Sequence, residues 1–443
     1  MSGLAKSSIY TLLTQFPTQI LGILSGVFIT RMLGPEGRGL YAIFYADIAL
    51  FSTILGFSIN TAITHFKAKE TFSEKTLLSV SVLFSLVTVF LSLGVLFIWL
   101  NLPFSDLLFP SEHLTLNYLI LFILFITLGQ INIVYSALFQ GIKRFDVVNK
   151  VVLNNSIINI ILFSSAFYLH YKEILLFSLD MILFLSAFVL LANSFQWHRH
   201  FSKHFKYSIS MRLKWKKEIK PFFNFMGLGH LSNIINFLNY RLVLWIIAYY
   251  LDNAQIGIFT LGAGLSQLLN FISNPPAQVL MPFLSAENVK ERKIMFLKFS
   301  RIHFTIVLLL GIFAAFVAVP FIPIVYGNEF KESGVVFYLI LTGVIFSAQT
   351  KQLANFFISS DKISWNLYAT IFGFVLTFGF NIWLVRDYGI YGAAIAQSIT
   401  YLGIFAFVYF AFLKLNKSTF LNIFILKNSD LVMLKQKFIH RKS

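Results

Sequence analysis

Five polar residues of one apolar stretch, at about 222–250, fall near one face of a helix at 100° per residue. They are His230, Asn233, Asn236, Tyr240 and Arg241. Arg241 is the most informative of them, because a charged side chain inside an apolar span is costly and usually faces the interior of a helix bundle. The face is typical of the lining of a polar cavity. The alternative is a structural Arg241 paired with a carboxylate or with backbone carbonyls of a neighbouring helix.

Two acidic residues, Asp47 and Asp180, fall in other apolar stretches. The pattern predicts Asp180 in the middle of the sixth span and Asp47 near the outer end of the second. Either residue could pair with Arg241, Arg31 or Arg38, or could hold a proton or sodium ion for coupling. Solvation at the membrane interface is an equal alternative for Asp47.

Arg31 and Arg38 flank the segment RMLGPEGRG, in which Gly34 and Pro35 predict a tight turn at the outer end of the first span. The guanidinium fork donates two hydrogen bonds to an oxyanion, so both arginines are candidates for binding phosphate. Contact with lipid headgroups of the outer leaflet is the alternative.

Side-chain amides in the fifth and tenth spans could bind sugar hydroxyls. The candidates are Asn155, Asn159, Gln352 and Asn355. Hydrogen bonds between helices would explain such residues equally well. Lys351 is expected to extend to the inner membrane surface.

Motifs for catalysis, metal binding and nucleotide binding are absent from the sequence. There is no Gly-Lys-Ser/Thr phosphate loop, no His-Glu-x-x-His pair and no G-x-S-x-G elbow. There are also no cysteines, which excludes disulfides and thiolate metal sites. We therefore expect no catalytic residues, no bound metal and no cofactor.

Composition requires that these residues sit in a membrane protein. Of the 443 residues 57% are apolar and 12% are charged, about half the charged fraction of a soluble domain. A span needs about 20 mostly apolar residues, and the first stretch is expected to be retained rather than cleaved as a signal peptide. Twelve stretches qualify, at roughly 8–30, 40–64, 76–100, 115–139, 148–169, 174–195, 222–250, 257–281, 300–322, 334–357, 364–385 and 390–413.

The distribution of basic residues predicts the orientation of these spans. With both termini cytoplasmic, 29 of the 35 Lys and Arg residues fall in inside segments and five in outside loops. Such a bias is the positive-inside rule in strong form. The net charge of +17 is then explained by topology and by contact with anionic lipid, and nucleic acid is not expected as a partner.

The predicted fold is an all-α polytopic membrane protein, with twelve helices in two parallel six-helix lobes around a central cavity. The lobes are 1–195 and 222–413, joined by a basic cytoplasmic loop at 196–221 that we expect to lie on the inner leaflet. A basic cytoplasmic tail, 414–443, is predicted to form an interfacial helix from Phe420 to Phe438.

An internal duplication is visible at an offset near 218 residues. LGPEGRGLY at 33–41 aligns with LDNAQIGIF at 251–259, and ALFQGIKRFDVVN at 137–149 aligns with ANFFISSDKISWN at 354–366. Because each half has an even number of spans, the copies share one orientation, and a binding site is expected between them. This arrangement favours a transporter over a channel.

Several motifs in order along the chain resemble the polysaccharide-transport family of lipid-linked oligosaccharide flippases, in the multidrug/oligosaccharidyl-lipid/polysaccharide (MOP) superfamily. They are FITRMLGPEGRGLYA, ALFQGIKRFDVVNK, IGIFTLGAGLSQLLNFISNPPAQVLMP and RDYGIYGAAIAQSITY. Arg241 departs from the family pattern, since many relatives are expected to have an acidic residue there.

The resemblance implies a substrate, a location and partners. The substrate would be an undecaprenyl-pyrophosphate-linked repeat unit, moved across the cytoplasmic (inner) membrane for O-antigen, capsule or exopolysaccharide assembly. Membrane lipids, and the polymerase and chain-length proteins of the same pathway, are the implied partners.

Three other functions remain as alternatives. A drug/cation antiporter of the same superfamily should prefer carboxylates in its cavity. The peptidoglycan-precursor flippase resembles a fourteen-span protein, whereas this sequence predicts twelve spans. A membrane polymerase or ligase, which would be an enzyme, is disfavoured by the short outside loops, of which the longest surrounds NLPFSDLLFPSEH.

Overall fold

The computed structural model describes residues 2–101, 115–205, 214–271, 273, 284, 289–362, 364–416, 420–427 and 430, and in this part the chain consists of helices joined by short turns and loops. Eleven α-helices occur there: α1 Ser2–Leu55, α2 Ile59–Ala68, α3 Glu74–Leu100, α4 Leu116–Gly141, α5 Phe145–Tyr171, α6 Leu179–His204, α7 Lys220–Tyr250, α8 Asn253–Gln267, α9 Val289–Tyr326, α10 Lys331–Ser359 and α11 Ser364–Asn416. Eight helical stretches in these segments are long and apolar enough to cross a membrane. The predicted all-α polytopic class is confirmed.

The predicted spans coincide with helices. The first span and the first part of the second together form α1, and the eleventh and twelfth together form α11, each pair with a sharp turn inside the helix. In α1 the turn is at Gly34, which has φ 63°, and in α11 it is at Gly389, which has φ 59°. Glycine adopts this left-handed backbone conformation without the strain that a Cβ atom imposes. The predicted turn of the RMLGPEGRG segment is therefore present. The predicted long outside loop at 101–113 and the Pro-rich end of the eighth span lie almost wholly outside the described residues.

The second predicted span is interrupted, which its uniform hydropathy did not indicate. α1 ends at Leu55 and α2 begins at Ile59, and Phe57 and Ser58 between them have φ values of 48° and 54°. Gly56 is buried at this break, where a Cβ atom would overlap the carbonyl oxygen of Ser52. The packing therefore requires glycine at position 56.

The predicted loop at 196–221 is wrong over its first nine residues, because α6 continues to His204. Trp197, Phe201 and Phe205 recur every fourth residue, and all three side chains are buried in the core that α2, α3, α4 and α7 share. A four-residue spacing places them on one face of a helix. Burial of this aromatic stripe extends the helix past the apolar span. Residues 206–213 of the predicted loop lie outside the described part.

The described part of the C-terminal tail is a short 3-10 helix, Phe420–Ile423, where an amphipathic α-helix was predicted. Ile423 is fully buried, and the Phe424 ring lies 4.9 Å from that of Phe304 and 5.5 Å from that of Tyr409. Ile423 and Phe424 thus belong to a hydrophobic core with residues of α9, α10 and α11, whereas Ile425 is 54% exposed. The rest of the predicted helix, except Asp430, lies outside the described residues.

Contacts between Cα atoms divide the chain into two compact units, Met1–Tyr249 and Tyr250–Ser443. α7 thus belongs to the first unit by contact, whereas the internal repeat assigns it to the second lobe. The predicted lobe boundaries at 195 and 222, which concern the two lobes that would move during transport, stay predictions.

The same turn occurs in both units, 218 residues apart. After α4, the amide N atoms of Ile142, Lys143 and Arg144 donate to carbonyl oxygens at 138, 140 and 139. After α10, the amides at 360, 361 and 362 donate to the carbonyls at 356, 358 and 357. Lys143 and Asp361 both have positive φ, at 60° and 57°. The shared hydrogen-bond pattern supports the internal duplication.

Candidate functional site

The polar face of α7 divides into two parts. Asn236, Tyr240 and Arg241 are exposed, and Tyr240 retains 50% of its accessible surface. His230, which is half-buried, and Asn233, which is also exposed, contact the break between α1 and α2. The exposed part can therefore meet a ligand, while the other part has a structural task as well.

His230 and Asn233 stabilise the broken second span by hydrogen bonds. The His230 Nε2 atom lies 2.9 Å from the carbonyl oxygen of Ile54 and must be the donor there, because a carbonyl only accepts. Its Nδ1 atom lies 3.4 Å from Ser58 Oγ, and Asn233 Nδ2 donates a 2.9 Å hydrogen bond to the same Ser58 Oγ atom. The imidazole stacks on the Phe57 ring at 5.3 Å. These contacts satisfy backbone and hydroxyl groups that the break leaves without helical partners.

Asp47 is fully buried in the first unit, where a place at the outer interface was the predicted alternative. Its Oδ1 atom accepts a 2.9 Å hydrogen bond from Trp245 Nε1. Its Oδ2 atom has no hydrogen-bond partner among the described residues. Burying an ionised carboxylate in such surroundings costs much more free energy than burying a protonated carboxyl. The site can therefore hold a proton.

Asp180 lies in the first turn of α6, not in the middle of a span as predicted. α6 begins after Ser178, whose side-chain oxygen accepts from the Met181 amide. Serine caps the helix at this point, and an acidic residue in the first turn interacts favourably with the positive end of the helix dipole. Asp180 is half-buried there. Its assignment to ion coupling stays a prediction.

Arg31 and Arg38 lie on either side of the turn at Gly34. Arg31 is exposed, and Arg38 is half-buried with its guanidinium carbon 5.7 Å from the centre of the Tyr41 ring. An aromatic face attracts a cation at this distance and also fixes its orientation. Both arginines remain candidates for binding an anion at this turn.

The predicted sugar-binding amides are in different surroundings. Asn155 and Asn159 of α5 are half-buried, as is Asn355 of α10. Gln352 is fully buried, with its Nε2 atom 3.4 Å from the carbonyl oxygen of Ser273. Gln352 is thus enclosed by its own unit, and a role in binding sugar for any of these amides stays a prediction.

Lys351 does not extend to the surface as the sequence suggested. It is half-buried in the second unit, and its Nζ atom donates a 2.9 Å hydrogen bond to Asn270 Oδ1. Asn270 in turn donates to Gln267, whose Nε2 atom donates to the hydroxyl of Tyr401 at 2.9 Å. The charge at 351 therefore begins a polar chain across α8, α10 and α11. Hydropathy alone could not reveal this chain, because Gln267, Lys351 and Tyr401 lie on three different helices and Asn270 follows the end of α8.

An open cleft of about 760 Å³ with a mostly apolar lining lies inside the first unit, at the predicted inner ends of α2 and α4. Its polar lining residues are Asn60, Thr61, Thr64, His65, Lys69, Asn132, Ser136 and Gln140. No cleft was predicted at this place from the sequence. A signal was available in the spacing of Asn132, Ser136 and Gln140, which recur every fourth residue on α4.

Long apolar helices, one of them with a polar face, and an open cleft between helices are the features of a polytopic membrane protein. A family model described as polysaccharide biosynthesis protein matches residues 4–288. The chain belongs to this polysaccharide biosynthesis protein family. A comparison with curated protein sequences gives no match.

Solved structures with the same fold are transporters of the MOP superfamily. The lipid II flippase MurJ, in an inward closed conformation, is similar with a TM-score of 0.69 and 16% identity over 98% of this chain and 93% of that one. An inward-facing multidrug resistance MATE family transporter of the MOP superfamily has a TM-score of 0.65 and 16% identity, over 91% and 96% of the two chains. The family model thus confirms the predicted polysaccharide family, and the solved structures show that the fold is the one these transporters share.

Proposed function

We propose that the protein is a flippase that moves an undecaprenyl-pyrophosphate-linked oligosaccharide repeat unit from the inner to the outer leaflet of the cytoplasmic membrane. The product would serve O-antigen, capsule or exopolysaccharide assembly. Family membership and fold support a flippase. The observation that carries the choice of substrate is the exposed face of Asn236, Tyr240 and Arg241 on α7, which combines a fixed cation with neutral hydrogen-bonding groups.

Each part of the proposed substrate has a chemical counterpart in the chain. A pyrophosphate carries several negative charges and can accept paired hydrogen bonds from a guanidinium, for which Arg241, Arg31 and Arg38 are the candidates. Sugar hydroxyls require amide and hydroxyl partners, which both units contain. The polyprenyl chain is as apolar as the bilayer and can remain in it during the movement. Alternating access of the two lobes would then expose the charged headgroup to each side in turn.

Asp47 is the proposed coupling residue of this cycle. A buried carboxyl with one donor, Trp245, can exchange a proton when its surroundings open to water, because the ionised form is stable only when water solvates it. Proton movement down its gradient could in this way bias the direction of transport. Asp180 is the weaker candidate, since the first turn of a helix already stabilises its negative charge.

The competing functions differ in the groups they require. A drug/cation antiporter needs exposed carboxylates to hold its cation, whereas the polar face of α7 holds Arg241. A polymerase or ligase needs catalytic acids or bases near the outer surface. Neither requirement has a counterpart in the exposed residues of α7.

The test is to delete the gene and to follow the lipid-linked glycan on both membrane leaflets. Accumulation of the complete repeat unit on the inner leaflet is the expected result. Unpolymerised units on the outer leaflet would identify a polymerase instead. A normal glycan together with increased drug sensitivity would identify an antiporter. Complementation with the full chain must restore export in the expected case.

A further inference from the structure

Basic side chains collect where α5 begins and α6 ends, on the predicted inner side of the first unit. They lie in two segments, 142–150 and 196–205, and four of them, from both helices, are close enough to the His200 ring to act on it electrostatically. These four are Lys150, Arg199, Lys203 and His204. We call this group, with His200 and Arg144, the α5–α6 basic cluster.

Arg144 joins the two helices and is fixed in its position. Its Nε and Nη2 atoms each donate a 2.8 Å hydrogen bond to Asp146, and its Nη1 atom lies 3.1 Å from His204 Nε2. Because a guanidinium only donates, this Nε2 atom must accept. The Nδ1 atom of His204 then carries the proton and donates to the carbonyl oxygen of His200 at 2.9 Å. The cluster is thus an ordered arrangement of side chains.

Positive charge in the cluster exceeds negative charge. Asp146 is the only acidic residue of the two segments, and it is paired with Arg144. Lys150, Arg199 and Lys203 are exposed, and none of them forms an ion pair within the part of the chain that the structure describes. A concentration of like charges raises the local concentration of anions. The cluster therefore favours an anionic ligand.

The helix faces that carry these cations continue as exposed apolar faces. On α6 the exposed residues Leu191, Phe195 and Arg199 recur every fourth residue, which places them on one side of the helix. On α5 the exposed Ile157 follows Lys150 by seven residues, which is two helical turns. Cations at the inner end of an apolar face match an anionic phospholipid, because its phosphate and its acyl chains meet partners together. A soluble anion would use the charges alone.

The corresponding turn of the second unit lacks this charge. At the offset of 218 residues, Lys143 corresponds to Asp361 and Lys150 to Tyr368, although the hydrogen bonds of the two turns are the same. The basic cluster is therefore a property of the first copy and is not required by the duplicated turn.

We infer that the α5–α6 basic cluster binds the phosphate headgroup of one anionic phospholipid of the inner leaflet. Lys150, Arg199 and Lys203 contact the phosphate, and the acyl chains lie along the apolar faces of α5 and α6. The lipid is a bound ligand with one place on the chain, which differs from the general attraction of a basic surface to anionic lipid. The inference does not depend on the proposed function.

The test uses the full chain in detergent micelles, with lipid binding followed by native mass spectrometry. The probes are phosphatidylglycerol and phosphatidylcholine with identical acyl chains, so that the two differ only in the headgroup. We expect the wild type to bind one phosphatidylglycerol saturably and in preference to phosphatidylcholine. Arg199→Gln combined with Lys203→Gln should weaken binding of phosphatidylglycerol at least about tenfold, because each cation near the headgroup contributes to the attraction.

A matched control removes the same charge from the second unit. Lys362 and Lys414 are both exposed, and they follow the ends of α10 and lie in the last turn of α11. Lys362→Gln combined with Lys414→Gln should change the affinity by less than about twofold. Thermal unfolding shows that the variants are folded. Lys150→Gln provides a second test from α5, with a loss of at least about threefold expected.

Three results would overturn the inference. Equal weakening by the two double variants would show a general effect of net charge, and binding that does not saturate would show that there is no single place for the lipid. Displacement of phosphatidylglycerol by an equal concentration of inorganic pyrophosphate would show a site for soluble anions. Failure of the proposed function is seen separately, as normal glycan export in the deletion strain.

Discussion

The carboxyl Oδ1 of Asp47 accepts a 2.9 Å hydrogen bond from the indole Nε1 of Trp245, and the two side chains are 0% and 6% exposed. The bond joins the second half of α1 to the end of α7. It is the single hydrogen bond found for this carboxyl in the described part of the chain. The carboxyl proposed for proton coupling therefore also takes part in the contact between α1 and α7.

Asp47→Asn should leave the fold intact and remove the coupling of transport to a proton gradient. The amide oxygen can still accept from Trp245, and replacing a carboxyl by a neutral group removes the cost of a buried charge. Transport in proteoliposomes, with and without a pH gradient, measures the effect. A gradient response equal to that of the wild type would exclude Asp47 from coupling.

Trp245→Phe separates the hydrogen bond from the charge. It keeps an aromatic ring and leaves Asp47 without its donor, which should cost about 1–3 kcal/mol of unfolding free energy. Combined with Asp47→Leu, the loss should shrink, because no unpaired polar group remains. A double-mutant cycle by thermal unfolding in detergent measures the coupling, and additive effects would contradict the contact.

Gly56→Ala should destabilise the chain by about 2–4 kcal/mol, since the added methyl group overlaps the Ser52 carbonyl oxygen at the helix break. Gly94→Ala is the matched control on α3, because a Cβ atom there meets nothing within 4 Å. The control should be neutral or slightly stabilising. Unfolding midpoints of the two variants measure the difference, and equal midpoints would argue against a tight break.

Arg301 and Asp430 form a buried ion pair that attaches the tail to α9. Arg301 Nε lies 2.6 Å from Asp430 Oδ2, and Nη2 lies 2.8 Å from Oδ1. Arg301 Nη1 also donates to the carbonyl oxygen of Asn422 at 3.1 Å. Hydrogen bonds from Arg301 lower the pKa of Asp430 below its ordinary value. The lowered pKa means that the pair stabilises the fold while Asp430 is ionised.

The stabilisation should be fully present above the unfolded-state pKa of about 4 and lost as the pH falls through the lower folded-state value. Thermal unfolding between pH 7 and pH 3 measures this loss. Asp430→Asn should be destabilised at neutral pH by about 3–5 kcal/mol, with a smaller further loss in acid. Arg301→Met combined with Asp430→Leu should recover most of that stability. An unchanged acid profile in Asp430→Asn would contradict the assignment.

Arg241→Ala should abolish glycan export at normal expression, and Arg241→Lys should be partly tolerated, because lysine keeps the charge but loses the paired donors. The loss expected for alanine is at least about 2 kcal/mol, which is a fall of about 30-fold or more in export rate. Arg386→Ala is the control, since that arginine is also exposed but lies near the turn at Gly389. Full export by Arg241→Ala would exclude the residue from the mechanism.

The positions of the spans were predictable because hydropathy follows the thickness of the bilayer. The turn at Gly34 was predictable from its glycine and proline residues. The break at Gly56 was not, because Phe57 and Ser58 continue the apolar run and the signal lies in how α7 packs against it. The start of α6 was misplaced because the apolar run begins before Ser178, and Asp180 was therefore placed too deep.

Candidate site residues were predictable by type but not by partner. His230 and Asn233 stood out as polar residues in a span, yet only the structure shows that they contact Ile54 and Ser58. Asp47 was a candidate from its charge, but its pairing with Trp245 depends on an aromatic residue 198 positions away. A sequence gives no register between two distant helices, so such pairs require coordinates.

The interactions of α7 with the second span also set an energetic threshold. The repeat assigns α7 to the second copy, while His230, Asn233 and Trp245 bind groups of the first copy. Any motion that separates the copies must first leave the carbonyl of Ile54, the hydroxyl of Ser58 and the carboxyl of Asp47 without these donors. Each unpaired group in hydrocarbon costs several kcal/mol. α7 should therefore stay in contact with the second span until water, a proton or substrate replaces the lost donors.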